Sequence, residues 1–349
     1  MGGQFADALS IAKNLVKAAP DDPRALNALG AVEMNAGKYK EALKPLEQAV
    51  TAAPQEPLYR TNLARAQILN KEFKDAEANL VQVDKSAPDN VQAVTLLAFL
   101  KLHDGDMAGA LSLAHGLQAH RPSQIAGLAL EGDIYMTKEM YAKAAQAYQR
   151  GLKLDYIKPL VIKTFLARND SGTEDADRLL LTWLDRHPDD DATRMLLGQY
   201  YLDHAKYDLS AGQFQRVLKD YPSNIVALNN LAWIYTQQDN PKALPLAERA
   251  YTLAPASANI KDTYGWALIM RGQAEKALPI LLQAVKQAPA VPAIQYHLAV
   301  AQARTGDKAG AMMKLQTLLK FGKGFPERAA AEKLYRSLGG KTAYGPVRK

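Results

Sequence analysis

Six histidines, His103, His115, His120, His187, His204 and His297, are the side chains best suited to acid–base or metal chemistry in this 349-residue chain. Imidazole titrates near neutral pH and ligates zinc through either nitrogen. A helical zinc site needs two such ligands one turn apart, and no His-x-x-x-His pair with a neighbouring carboxylate occurs. His115 and His120 are five residues apart, which puts them off a common helix face. The histidines therefore read as surface or groove polar residues. Cysteine is absent, which excludes disulfides, thiolate zinc sites, iron–sulfur clusters and thiol catalysis. Ser10-Ile11-Ala12-Lys13 has the spacing of an S-x-x-K nucleophile but lacks its companion motifs. There is no Walker loop and no G-x-G-x-x-G to cradle a phosphate. Asn169-Asp170-Ser171 matches a glycosylation sequon, and Asp189-Asp190-Asp191 is suited to capping a helix at its positive end. The expectation is no catalytic residue, no metal and no cofactor.

The elements that carry these residues belong to a folded chain. Hydrophobic residues make up 48% and charged residues 23%. No apolar run reaches 18 residues, so no transmembrane segment is expected. The net charge is +7, but residues 321–349 hold seven Lys or Arg against Glu327 and Glu332. A basic tail on a near-neutral body is not the basic face that nucleic acid requires, so no nucleic-acid partner is expected. The N-terminus has no basic stretch followed by an apolar one, so no signal peptide is read there.

Internal periodicity is the strongest signal. Pro20, Pro54, Pro88 and Pro122 are 34 residues apart, Tyr156 continues the phase, and Pro188, Pro222, Pro255 and Pro289 follow at 32 to 34. Units starting at Pro23, Pro57, Val91, Ile125, Pro159, Asp191, Ile225, Ala258 and Pro292 have a small eighth residue in eight cases. These are Gly30, Ala64, Ala98, Gly132, Gly198, Ala232, Gly265 and Ala299, with Leu166 the exception. A second small residue recurs near position twenty, as in Ala42, Ala76, Ala110, Ala144 and Ala277. Two helices cross closely only where neither carries a large side chain. In the first unit, Asp22 can cap a helix that starts at Pro23, Asn35-Ala36-Gly37 ends it, and a second helix runs from about Tyr39 to Ala52. Each unit therefore reads as a helix–turn–helix.

A 34-residue helix hairpin with small residues at positions 8, 20 and 27, aromatic residues at 4, 11 or 24 and proline at 32 resembles the tetratricopeptide repeat. Tyr135, Tyr148, Tyr201, Phe214, Tyr235 and Leu281 occupy the large positions. The resemblance implies an all-α fold, a right-handed α–α superhelix of about nine repeats with a C-terminal capping helix. The organisation expected is a half repeat over 1–22, units one to four over 23–158, a short irregular unit over 159–190, units six to nine over 191–322, a capping helix over 323–340 and a basic disordered tail over 341–349. The half repeat suggests a chain that starts in mid-repeat. Segments in the C-terminal half, WLDRHPDDDATRMLLGQYYL (183–202), NIVALNNLAWIY (224–235), KALPLAERAYTLAP (242–255), IKDTYGWALIMRGQAEKALPIL (260–281) and FPERAAAEKLYRSL (325–338), resemble PEP-CTERM system repeat lipoproteins of the PrsT type. That resemblance implies an exported, lipid-anchored scaffold accompanying exopolysaccharide clusters, although the lipobox cysteine is absent.

In the repeat family, positions 2, 5, 9, 12 and 13 of each first helix face a concave groove that takes a protein or peptide. Mapped onto this chain, with the asparagine position 6 added, the candidate groove residues are Arg24, Asn27, Asn62, Arg65, Phe99, His103, Asp133, Gln199, Asn229, Asn230, Trp233, Trp266 and Tyr296. Trp233 and Trp266 either anchor a ligand or pack only against the adjacent repeat. The carboxylate clamp of co-chaperone repeats is not reproduced, because Asn27, Gln92 and Leu96 stand where its partners to Asn62 belong. Position 6 holds asparagine only at Asn62 and Asn230, too few for the asparagine ladder of O-linked sugar transferase superhelices. The function expected is a non-catalytic scaffold for protein–protein interaction in the bacterial envelope, periplasmic or outer-membrane associated, linked to exopolysaccharide or PEP-CTERM export. The alternatives are a substrate-recruiting region of a larger enzyme, a generic cytosolic adaptor and self-association.

Overall fold

The computed structural model describes residues 2–321 and 324–341, and most of the basic tail expected at 341–349 lies outside them. Among the described residues there are twenty α-helices and no strand. The chain divides into two compact units, residues 1–183 and 184–349. The first holds α1 (Gly2–Ala18) and the hairpins α2 (Pro23–Asn35)/α3 (Tyr39–Ala52), α4 (Pro57–Leu69)/α5 (Phe73–Ser86), α6 (Val91–His103)/α7 (Met107–His120) and α8 (Ala126–Thr137)/α9 (Tyr141–Leu154), followed by α10 (Lys158–Asp170). The division falls within α11 (Arg178–Arg186). The second holds α12 (Asp191–Asp203)/α13 (Tyr207–Asp220), α14 (Ile225–Gln237)/α15 (Ala243–Leu253), α16 (Ala258–Met270)/α17 (Ala274–Gln287) and α18 (Pro292–Arg304)/α19 (Lys308–Phe321), with α20 (Arg328–Ser337) at the end. Each helix packs mainly on its neighbours in sequence, which makes each unit an α–α solenoid of stacked hairpins. None of the described helices is long and apolar enough to cross a membrane.

Polar side chains start the first helices. Asp22, Glu56, Asn90, Asp190 and Asn224 accept hydrogen bonds from the amides of α2, α4, α6, α12 and α14, which otherwise have no intrahelical acceptor. Pro23, Pro57 and Pro292 stand in the first turn, where a missing N–H costs nothing.

The first helices end in one recurrent turn. A residue with positive φ follows each: Gly37, Lys71, Gly105, Glu139, Gly172, Ala205, Asp239, Gly272 and Gly306. At Gly37 the amide donates to the Met34 carbonyl at 3.0 Å, and the next amide, from Lys38, donates to the Glu33 carbonyl at 2.9 Å. This double closure is the Schellman motif, and Lys71, Glu139, Ala205 and Asp239 repeat it without glycine.

Close crossing within a hairpin explains the small eighth residue. A Cβ added to Gly30 would lie 2.4 Å from Leu46, one on Gly132 would lie 2.2 Å from the Tyr148 ring, and one on Gly265 would lie 2.6 Å from Leu281. The partner sits 16 residues on, and each of Leu46, Tyr148 and Leu281 is almost fully buried. Burying one such side chain contributes about 2 kcal/mol.

The irregular unit keeps this logic in a shifted register. In α14 the buried residues are Ala227, Leu228, Leu231, Ala232 and Ile234, followed by Tyr235 and Thr236. In α10 they are Leu160, Val161, Thr164, Phe165 and Ala167, which match the first five of α14 in spacing when counted from Lys158 rather than Pro159. Phe165 therefore fills the crossing position, and Leu166 is 38% exposed. At the C-terminus, Phe325, Ala331 and Tyr335 join Leu315, Leu318 and Leu319 in one core and close off the last hairpin.

Candidate interaction face on the first helices

At four first helices a polar side chain at position 6 bridges to the preceding first helix of the same unit. Asn62 donates from Nδ2 to Asn27 Oδ1 at 2.8 Å, linking α4 to α2. Lys163 donates to both carboxylate oxygens of Asp133 at 2.6 and 2.7 Å, linking α10 to α8. In the second unit, Asn230 donates to Gln199 Oε1 at 3.2 Å, and His297 Nδ1 lies 2.8 Å from Asp262 Oδ1. The acceptors come from position 5 or 9 of the previous helix. Lys163 joins this set only through the shifted register of α10, which is why its role is hidden in the sequence.

Asp133 is the most connected of these residues. The Tyr148 hydroxyl donates to its Oδ1 at 2.6 Å, while the ring of Tyr148 packs against Gly132. Burial first, and then the Asp133 carboxylate, push the Tyr148 phenol far above the usual tyrosine range, so it stays a donor at every physiological pH. His297 is 4% exposed and sits beneath Trp266, the rings stacked at 4.2 Å and 18°. Such a contact contributes about 1 kcal/mol beyond area burial.

The remaining candidates divide by exposure. Phe99 is 49% exposed, and Arg65 is exposed on α4. His103 is exposed, with its ring 4.4 Å from Phe73 and Nδ1 3.0 Å from Asp104. Gln199 donates to Asp203 at 2.7 Å. Asn229 donates weakly to Asn230 at 3.5 Å, and its Oδ1 is buried with no partner. Trp233 is half-buried, edge-on to Tyr207 at 5.7 Å. Tyr296 is 8% exposed, so it serves the core of the last hairpin, and burial raises its phenol above the usual range. Arg24 is spent locally: its guanidinium pairs with Asp22 at 2.8 Å, and this bond holds the Asp22 carboxyl below the usual range.

The first unit thus brings together Asn27 with Asn62, and Asp133 with Lys163 and Tyr148. The second brings together Gln199 with Asn229 and Asn230, and Trp266 with His297, Tyr296 and Asp262. No nucleophile–base–acid constellation accompanies these pairs. Among the described residues, no group of three histidine or carboxylate side chains is placed to hold a metal. The chemistry on offer is hydrogen bonding through amides and stacking on tryptophan.

A solenoid of stacked helix hairpins with this polar face defines the class of α-helical repeat proteins. The particular family follows from its sequence matches. One tetratricopeptide repeat profile matches residues 2–57, 166–225, 195–258 and 265–329, a second matches 33–100 and a third 127–157. The chain belongs to the tetratricopeptide repeat family. Similar solved structures include MamA, 20% identical over 44% of this chain and 91% of that one, with a TM-score of 0.38. A tetratricopeptide repeat protein from Parabacteroides merdae is 16% identical over 80% of this chain and 98% of that one, at 0.36. The Cut9–Hcn1 hetero-tetramer of APC/C is matched at 12% identity over 97% and 94%, at 0.49. No curated protein matches the chain.

Proposed function

We propose that this protein is a non-catalytic scaffold that binds a protein or peptide along the first-helix face, with Trp233 and Trp266 as its apolar anchors. The observation that carries the reading is their setting. The two indoles are half-exposed on consecutive first helices of one unit, 33 residues apart, and Trp233 follows Asn229 and Asn230 by one turn of α14, with Asn230 bonded to Gln199. Amides of this kind pair with the backbone of an extended ligand, while a tryptophan supplies a large contact area at little entropic cost. Arg65, Phe99 and His103 form the corresponding exposed set in the first unit.

The C-terminal motifs, through their resemblance to PEP-CTERM system lipoproteins, support a place in envelope assembly linked to exopolysaccharide or PEP-CTERM protein export. On that reading the protein works in the periplasm or at the outer membrane. The test is a pull-down from separate envelope and cytosolic fractions with the wild-type chain and the Trp233→Ala/Trp266→Ala variant, read by mass spectrometry. Envelope partners retained by the wild type and lost by a variant of unchanged helical content support both the groove and the compartment. Equal retention by both baits removes the tryptophans from the binding face, and a purely cytosolic set of partners removes the envelope assignment.

A further inference from the structure

One bond joins the two helices of three hairpins, and in the last of them the charge has changed sides. In α4/α5, Arg60 donates to Asn79 Oδ1 at 3.1 Å and to the Pro54 carbonyl at 3.2 Å. In α12/α13, Arg194 donates to Gln213 Oε1 at 3.2 Å and to the Pro188 carbonyl at 2.7 Å. In α18/α19 the neutral Gln295 stands in the arginine's place and donates to the Pro289 carbonyl at 2.8 Å. The cation sits instead on the second helix, where Lys314 donates to Gln295 Oε1 at 2.9 Å. An ammonium has three donors. Among the described residues, Lys314 has no other acceptor and no carboxylate within ion-pair distance. Burial pulls this lysine below the usual range, with no charged group offsetting the cost.

Lys314 lines a cleft of about 600 Å³ between α17, α18 and α19, a size that suits a small ligand. Leu282, Val285, Leu298 and Leu318 supply apolar surface, and Met313, 68% exposed, stands on the rim. The floor is formed by Pro292, Gln295, Leu298 and Gln302 of α18, a run of about 15 Å. Of α18, the candidate groove uses Tyr296 instead, so the cleft is a separate surface. The other polar side chains of the lining are already engaged. Gln295 uses both ends of its amide. Gln302 donates to Asp307 at 2.8 Å, and its oxygen is shut off from solvent. The Thr317 hydroxyl donates to the Met313 carbonyl at 3.0 Å. A peptide laid here would find no partners in the walls for its backbone N–H and C=O groups. An aliphatic chain needs none, and a single anionic head completes Lys314.

We propose that the α17–α19 cleft binds a single-chain amphiphilic carboxylate, a fatty acid of medium length, with Lys314 holding the carboxylate and the chain lying along Leu282, Val285, Leu298 and Met313. The carboxylate gives the ammonium the counter-charge that the hairpin does not supply. The exposed apolar side chains at Leu282 and Met313 close over the chain.

The test is a titration of the purified chain, carrying isotope-labelled methionine methyls, with decanoate as dispersed monomers. The Met313 signal, assigned by its loss in Met313→Leu, is expected to shift and saturate. Along hexanoate, octanoate and decanoate, affinity is expected to rise by up to about tenfold for each two methylenes. Lys314→Glu is expected to weaken decanoate about tenfold or more and to favour decyltrimethylammonium, which the wild type binds less well than decanoate. Leu282→Asp, at a half-exposed position, is expected to lose both amphiphiles, with unchanged helical circular dichroism checking the fold. No shift with decanoate overturns the proposal. So does equal affinity of the wild type for the anionic and cationic amphiphiles, or decanoate binding that leaves the Met313 signal in place or survives Lys314→Glu. A chain that self-associates through this cleft, closed to decanoate and monomeric only as Leu282→Asp, holds protein there and overturns it as well.

Discussion

Glu33 shows what burial does to a single charge in this fold. It lies on α2, 8% exposed, and its buried Oε2 has no hydrogen-bond partner. Lys13 on α1 faces it, with Lys38 and Glu41 nearby, and burial outweighs the attraction of the lysines and raises its pKa. A carboxyl raised on folding binds its proton more tightly in the native state. Its stabilising protonated form is fully present below the unfolded carboxyl's ordinary range and is lost as pH rises through the higher native value. At neutral pH the ionised carboxylate is then a cost. Glu33→Gln is expected to gain about 1 kcal/mol at pH 7, the low end of the cost of an unsatisfied buried polar group. The gain should shrink as pH falls through the carboxyl range, measured by urea unfolding at several pH values. A net loss at pH 7 would instead show that Lys13 controls this site.

At the scale of the element, the turn between the two helices of a hairpin stores a removable strain. Its geometry requires a left-handed residue, and the sequence supplies glycine at Gly37, Gly105, Gly172, Gly272 and Gly306. Ala205, at φ 54, takes the same conformation with a Cβ, and its amide and that of Lys206 donate the same closing bonds, to the Leu202 and Tyr201 carbonyls. The left-handed region costs an L-residue about 1–2 kcal/mol, while glycine loses about 0.5–1 kcal/mol more backbone entropy on folding. Ala205→Gly is therefore expected to stabilise the α12–α13 hairpin by about 0.5–1 kcal/mol. Gly37→Ala, in a turn where the added Cβ meets nothing within 4 Å, should cost a similar amount, so the effect is conformational rather than steric. Thermal melts of the two variants beside the wild type provide the check. A destabilised Ala205→Gly would mean that the turn is not the left-handed closure described.

At the scale of the molecule, the repeat was legible because its causes are local. Proline, turn glycine and the small crossing residue each act within one hairpin, so their period survives in a single sequence. The bridges between repeats were not legible in the same way. Asn62 to Asn27 and His297 to Asp262 join residues 35 apart, and Lys163 to Asp133 depends on α10 being read from Lys158 once Phe165 fills the crossing position. Exposure was hidden too: Tyr296 and Phe99 look alike as groove candidates, yet one is 8% and the other 49% exposed. The same locality sets how damage should spread. Gly132→Ala drives a Cβ into a ring pinned through its hydroxyl to Asp133, and the chain offers no alanine opposite a tyrosine at this crossing. Gly30→Ala meets Leu46, and the buried pairs Ala64 with Leu80 and Ala299 with Leu315 show that alanine opposite leucine is accommodated. The first substitution should cost about 2–3 kcal/mol and the second about 1 kcal/mol or less. In an array whose helices pack on their sequence neighbours, that loss is carried by the α8–α9 hairpin and passed to α7 and α10 through shared interfaces. Hydrogen exchange on Gly132→Ala should therefore accelerate in α7 to α10 and leave α16 to α19 at wild-type rates. Equal acceleration of all helices would show instead that the chain opens as one cooperative block, and that nearest-neighbour packing does not describe its energetics.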